Sequence, residues 1–221
     1  MKNTIYINNE NAADIQMAVE KCRCSEKPCT IFISKGVYCF DAPPIFDSRD
    51  SNLTVVGETG TVFTSARKLD NLKWTPYKNG IWKANVTIKP FGRMFANAAE
   101  QILCRYPDFS EDVVPLDGAA KLSEIKERSL NYKNPQHGIV RAIHSFGWGG
   151  NSYVITGKDK ASSCGLLLSW FGDNNRGSEY GDELVVENVF EELDSPCEWF
   201  YDRKEHITVF ITVQMHCIRG G

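Results

Sequence analysis

A mainly β chain is what this sequence predicts, on three observations: a short amphipathic helix leads, short strands follow at spacings of about 8 to 12 residues, and Gly, Pro, Asp, Asn or Ser ends each strand. That spacing suits a solenoid or a sandwich. The leading helix, and runs such as Thr30-Ile31-Phe32-Ile33 that are apolar on consecutive residues beside tight turns, favour the solenoid. A generic all-β domain stands as the alternative.

Asn9 or Asn11 can cap a helix over Ala12 to Lys21, where Ile15, Ala18, Val19 and Cys22 fall at i, i+3, i+4 and i+7. A helix with one apolar face suits the open end of a β-solenoid, whose first coil otherwise exposes core and unpaired edges. From Cys29 the pattern turns to strands at Thr30–Ile33, Gly36–Phe40, Pro44–Phe46, Leu53–Gly57 and Thr61–Phe63. The spacing lapses between Lys68 and Gly80. Alternation returns at Ile81–Ile88, and two strands joined at Asn97–Glu100 end in Arg105-Tyr106-Pro107. Residues 108–136 are polar and read as a surface excursion with one weak helix, Leu122–Leu130. Strands resume at Gly138–His144, Asn151–Thr156 and Cys164–Phe171.

The stretch Val186–Tyr201, VENVFEELDSPCEWFY, reads as a docking seam: an apolar run with acidic interruptions, a turn at Asp194-Ser195-Pro196, and an aromatic strand, Trp199-Phe200-Tyr201. The polar break at Asp202–His206 and the period-2 alternation of Ile207, Val209, Ile211 and Val213 then predict a hairpin.

These segments carry a resemblance. The run from Glu187 to Asp202, the order of helix, strand, Gly36-Val37-Tyr38, strand and Asn52-Leu53-Thr54-Val55-Val56-Gly57, and the Arg-Tyr-Pro ending are together similar to bacterial right-handed parallel β-helix proteins. The group meant is the pectin-lyase-like, glycoside-hydrolase-like one with a β-sandwich inserted into the early coils. Cys197 stands where that pattern usually has Gly. The resemblance implies a helical cap and first coils over 1–70, an inserted antiparallel sandwich over 71–205, and a return toward the β-helix over 206–221. It also implies that the catalytic carboxylates lie on later coils, so that this chain is the N-terminal portion of a longer protein and self-associates through an open β-helix end.

Composition narrows the partners. With 42% hydrophobic and 24% charged residues the chain can bury a core, and a formal net charge of -3 without a basic run argues against nucleic acid and anionic membranes. The opening MKNTIYINNE is too polar for a signal h-region, which places the chain as given in the cytoplasm and leaves a parent free to be secreted or periplasmic. Eight cysteines, of which Cys22, Cys24 and Cys29 alone cluster, read as free, mostly buried thiols. The four histidines are not spaced for zinc, Gly147-Trp148-Gly149-Gly150 precedes a strand rather than a helix, and no metal or cofactor is expected.

Glycoside hydrolysis needs two carboxyl groups, about 5 to 5.5 Å apart for retention or about 6.5 to 9.5 Å for inversion. Glu187, Glu191, Glu192, Asp194 and Glu198 are the carboxylates within strand-rich sequence, and each is also readable as a solvated residue or turn cap. Glu191 and Glu192, adjacent in a strand, would face opposite ways. A second region holds His144, Phe146 and Trp148 on one Gly-rich loop and Trp170, Phe171, Asn174, Asn175 and Arg176 on another. Sugars offer C–H faces to aromatic rings and hydroxyls to amides, guanidinium and imidazole, so His144, Trp148, Trp170, Asn174, Asn175 and Arg176 read as binders of a polysaccharide or oligosaccharide. The other reading is loop tips folded over the core. From the resemblance follow three functional expectations: part of a polysaccharide hydrolase, a lyase on the same scaffold, or a non-catalytic adhesive module.

Overall fold

Alternation in Cys29-Thr30-Ile31-Phe32-Ile33 sets one face of this strand inward, and Cys29, Ile31 and Ile33 are all buried. The computed structural model describes residues 3–8, 13–86, 92–96, 99–172, 177, 179–202 and 208–212, and divides the chain into two units, Met1–Asp70 and Asn71–Gly221.

In the first unit β1 (Asn3–Ile7), β2 (Cys29–Ile33) and β4 (Leu53–Gly57) form a parallel sheet in the order β1-β2-β4, and β3 (Gly36–Cys39) and β5 (Thr61–Thr64) form a parallel pair. The register stacks like on like: Thr4, Thr30 and Thr54 share one rung, and Ile5, Ile31 and Val55 the next. Helix α1 (Ala13–Arg23) buries Ile15, Ala18, Val19 and Cys22 against Ile7, Cys29, Ile31, Ile33 and Tyr38, as its periodicity predicts. The proposed caps Asn9 and Asn11 lie outside the described residues.

Three expectations for this unit need correction. Cys22 and Cys29 form a disulfide instead of free thiols, because the turn after α1 folds β2 back along the helix and brings the two Cα atoms to 5.8 Å. Cys104 and Cys164 are buried thiols as expected, whereas Cys24 and Cys39 are exposed. Pro44–Phe46 is not a strand, since side chains of α1 take up its backbone: Ile45 N–H donates to Gln16 Oε1 at 2.9 Å, and Arg23 donates to Ile45 O at 3.1 Å. Arg23 also donates to both carboxylate oxygens of Asp50, at 2.9 and 2.7 Å, which fastens the 3-10 turn Ser48–Asp50 to the helix end.

The second unit holds two sheets. One is antiparallel and five-stranded, β10 (Arg105–Tyr106), β14 (Tyr180–Glu187), β11 (Ile139–His144), β12 (Gly150–Lys158) and β13 (Leu166–Trp170) in that order. Its inner face buries Val140, Ala142, Tyr153, Ile155, Leu166, Leu184 and Val186. Helix α2 (Leu122–Ser129) covers this face with Ile125, together with Ala120 and Tyr132. Residues 108–136 therefore do more than cross the surface: they supply part of the core.

The other sheet is six-stranded and mixed, in the order β6 (Thr75–Pro76), β7 (Ile81–Asn85), β16 (Thr208–Thr212), β15 (Glu198–Tyr201), β9 (Ala99–Leu103) and β8 (Met94–Ala96). The two expected hairpins are present: Ala96 pairs with Ala99, and Phe200 with Phe210. Their connections, 97–98 and 203–207, lie outside the described residues. Tyr77, Phe190, Phe200 and Phe210 pack edge to face or tilted, with centroids 5.2 to 6.0 Å apart.

Val186–Tyr201 passes from the five-stranded sheet to the six-stranded one, so the seam lies inside the second unit. Asn188, at a left-handed φ of 55°, lets its side-chain amide replace a missing strand neighbour: Oδ1 accepts from Tyr201 N–H and Nδ2 donates to Tyr201 O, both at 3.0 Å. Cys104 N–H donates to Trp199 O at 2.7 Å, and Asn188 N–H to Cys104 O at 2.9 Å. Gly138 packs beneath this crossing, where an added Cβ would come within 2.9 Å of both Pro135 O and Val189 Cγ2.

Candidate functional site

The five seam carboxylates come first, because a hydrolytic pair would have to be found among groups of this kind. Glu192 is buried and pairs with Arg128, which donates through Nε at 2.9 and 3.0 Å and through Nη2 at 2.6 Å, and also reaches Asp194 at 3.2 Å. The same guanidinium lies 4.4 Å over the Tyr106 ring. Glu187 accepts from Arg141 at 2.5 Å, and Glu191 from Lys133 N–H at 3.2 Å. Glu191 and Glu192 sit in a 3-10 turn, Phe190–Glu192, and not in a strand, so one chain turn sends Glu192 inward.

Glu198 is buried and accepts backbone N–H groups of Arg105 (3.3 Å), Asp194 (3.2 Å) and Ser195 (3.0 Å). Burial raises its carboxyl to about 7, against the opposing pull of those three donors. Partial desolvation also raises Asp194, whose side chain stays half exposed. Each of the five acids thus fastens a piece of local structure. Arg105, also buried, does the same for the loop that follows it, donating to the carbonyls of Pro107, Leu116 and Gly118 at 2.8, 2.9 and 2.6 Å.

The aromatic loops present a different picture. Antiparallel pairing of β11 with β12, of Tyr153 with Trp170, and of His144 with Tyr180 brings the 144–150 turn, the end of β13 and the start of β14 to one end of the five-stranded sheet. Gly147 and Gly149, at φ 71° and 129°, make the tight turn that returns the chain into β12. On that turn Phe146 is 70% exposed and Trp148 58%, while His144 beneath them is 4% exposed. The three ring planes lie 11° to 34° from one another, with centroids 5.1, 5.4 and 5.7 Å apart. Three nearly equal distances describe a triangle and not a column, so the rings spread sideways into an open aromatic surface.

His144 Nδ1 accepts from Phe146 N–H at 3.1 Å, which places the proton of the neutral imidazole on Nε2. Nε2 is buried and has no hydrogen-bond partner among the described residues; Glu179 Oε2 stands 3.7 Å away. Asn151 Nδ2 donates to Glu179 O at 3.2 Å, and the Glu179 carboxylate folds back over Gly177. Phe171, on the same sheet end, is 55% exposed. Trp170 packs against the core, its indole N–H closed off by Gly172, where an added Cβ would lie 2.4 Å from Nε1.

Of the residues the sequence singles out, His144 and Trp148 share this surface, while Trp170 packs against the core. Asn174, Asn175 and Arg176 lie outside the described residues. Glu179 escapes sequence reading, since nothing in Gly177-Ser178-Glu179-Tyr180 announces chemistry; only the pairing of β14 with β11 puts it beside His144. Among the described residues there is no group of three or more His, Cys, Asp or Glu arranged to hold a metal ion.

Compared with known proteins, the chain matches no protein family description and no curated protein. A solved structure described as a glycoside hydrolase matches 96% of this chain with a TM-score of 0.54 at 14% identity. The match covers 43% of that structure's own chain, less than half its length. The fold is therefore mainly β and similar to that of a glycoside hydrolase.

Proposed function

We propose that this chain is a glycan-binding part of a carbohydrate-active protein, one that hydrolyses glycosidic bonds of a polysaccharide on a right-handed parallel β-helix with an inserted antiparallel sandwich. The single observation that carries the binding reading is the exposed aromatic surface of Phe146 and Trp148, large enough to meet the C–H face of a pyranose ring. His144 and Trp148 are the proposed contacts, with Trp170 packed against the core at the same sheet end; Asn174, Asn175 and Arg176, proposed with them, lie outside the described residues. In-register parallel ladders in the first unit and antiparallel hairpins in the second support the β-helix and sandwich, as does the likeness to a glycoside hydrolase. Hydrolytic residues are not assigned to the seam acids, because Glu187, Glu191, Glu192, Asp194 and Glu198 already hold arginines or backbone donors.

A second proposed partner is another copy of the chain. The edge strands β4 and β5 expose Val55, Val56, Val62 and Phe63, and sedimentation showing a monomer at all concentrations would rule that partner out.

The test of the glycan reading is electrophoresis of the chain through gels containing soluble polysaccharides, with product analysis for new reducing ends or unsaturated sugars. Retardation by at least one polysaccharide is expected; new reducing ends would place hydrolysis in this chain, unsaturated products would point to a lyase. Mobility unchanged by every polysaccharide would contradict the reading.

A further inference from the structure

The buried face of His144 bears on which glycans the aromatic surface accepts. Its Nε2–H is a donor withdrawn from water with no hydrogen-bond acceptor in reach among the described residues, a state that folded proteins keep rarely without a use. Beside it is a carboxylate of the opposite character: Glu179 is 67% exposed at its side chain and its Oε2 lies 3.7 Å from Nε2, beyond a hydrogen bond. A donor and an acceptor separated in this way suit one hydroxyl group, which accepts from Nε2–H at about 2.9 Å and donates to Oε2 at about 2.7 Å. Nε2 is itself buried, so the hydroxyl enters as the exposed Glu179 side chain turns, an ordinary rotamer change. Its backbone meanwhile stays fixed by Asn151.

We infer that His144 and Glu179 form a hydroxyl-recognition pair at the edge of the Phe146–Trp148 surface, which selects neutral glycans and rejects those carrying carboxylates. The inference rests on the glycan-binding reading above. The rings contribute contact that any pyranose can use. The pair adds direction, because a site built to give and take hydrogen bonds from a hydroxyl leaves both groups unmatched when a uronate carboxylate approaches, and Glu179 then repels it.

The experiment uses the whole chain in affinity electrophoresis with neutral probes (mixed-linkage β-glucan, galactomannan, arabinoxylan) and acidic ones (polygalacturonate, alginate). It is run for the native sequence, Glu179→Gln and Trp148→Ala, with thermal melts to establish folding. Retardation of the native chain by a neutral probe and by neither acidic probe is expected. Glu179→Gln should weaken neutral binding about three- to tenfold and bring acidic probes within at least tenfold of the neutral one. Trp148→Ala should lose neutral binding. Retardation of the native chain by acidic probes, or neutral binding unchanged in folded Glu179→Gln, would overturn the pair while Trp148→Ala still tests the aromatic reading. No retardation by any probe would overturn both.

Discussion

The crossing between β14 and β15 and the aromatic end of the five-stranded sheet draw on the same kinds of side chain, acids, aromatics and an occasional cation, and use them in opposite ways. At the crossing, three buried polar side chains are matched: Glu192 by Arg128, Glu198 by three backbone donors, Asn188 by both backbone groups of Tyr201. At the sheet end Phe146 and Trp148 stay in solvent, and the buried Nε2 of His144 is left unmatched. Burial with a partner in place fastens the chain and leaves nothing for a ligand. Exposure of apolar rings over an unmatched donor forgoes stability and leaves something to bind. Chemistry-bearing residue types therefore do not by themselves mark the site; the state of their partners does.

The sharpest way to break the comparison is at Arg128. Arg128→Ala leaves the Glu192 carboxylate buried without its cation, and unfolding free energy should fall by about 3 kcal/mol in denaturant titrations, with glycan binding of the remaining folded protein unchanged. A fall below about 1 kcal/mol would show that the crossing is held by packing alone.

Glu198 gives a comparable effect through pH. Its carboxyl is raised to about 7 by burial, above the ordinary value of 4.5, so between those values the folded chain holds a proton that the unfolded chain has released. Stability should accordingly fall as pH rises from about 4.5 to about 7, by about 3 kcal/mol in all. Asp47, Asp50 and Glu100, each held below the usual carboxylate range by an arginine, lose their stabilising effect only at more acidic pH. Denaturation of the native chain and Glu198→Gln at pH 5 and pH 8 checks this; parallel pH dependence of the two would remove Glu198 as the cause.

The smallest expected change is a gain. Cys197 takes a left-handed φ of 63° in the turn before β15, a conformation that glycine adopts without steric cost, and Cys197→Gly should stabilise by up to about 1 kcal/mol. A loss of stability would show that the Cys197 side chain contributes more to the turn than its backbone strain removes.

Much of this arrangement was legible from local pattern. Helix α1 declares its buried face by the spacing of Ile15, Ala18, Val19 and Cys22, and β2 by alternation, because both periods follow from the geometry of the elements themselves. The odd residue at Cys197 was visible too, as a departure from glycine whose cost the φ value now explains. What stayed hidden depends on contacts far apart in sequence. The Cys22–Cys29 disulfide needs the return of β2 along the helix, and Glu192 turns inward only because Arg128, 64 residues away, meets it there. Asn3–Ile7 becomes a strand as it stacks rung by rung on β2. Glu179 gains meaning only from antiparallel pairing of β14 with β11.

The most direct measurement is calorimetric titration of whichever polysaccharide retards the native chain into three folded proteins: native, Trp148→Ala and Arg128→Ala. Affinity at least tenfold weaker for Trp148→Ala at native melting temperature, with Arg128→Ala binding normally despite its lower stability, is the expected result. Native affinity in Trp148→Ala, or binding lost in step with stability in Arg128→Ala, would contradict the assignment of binding to the exposed rings and of stability to the matched acids.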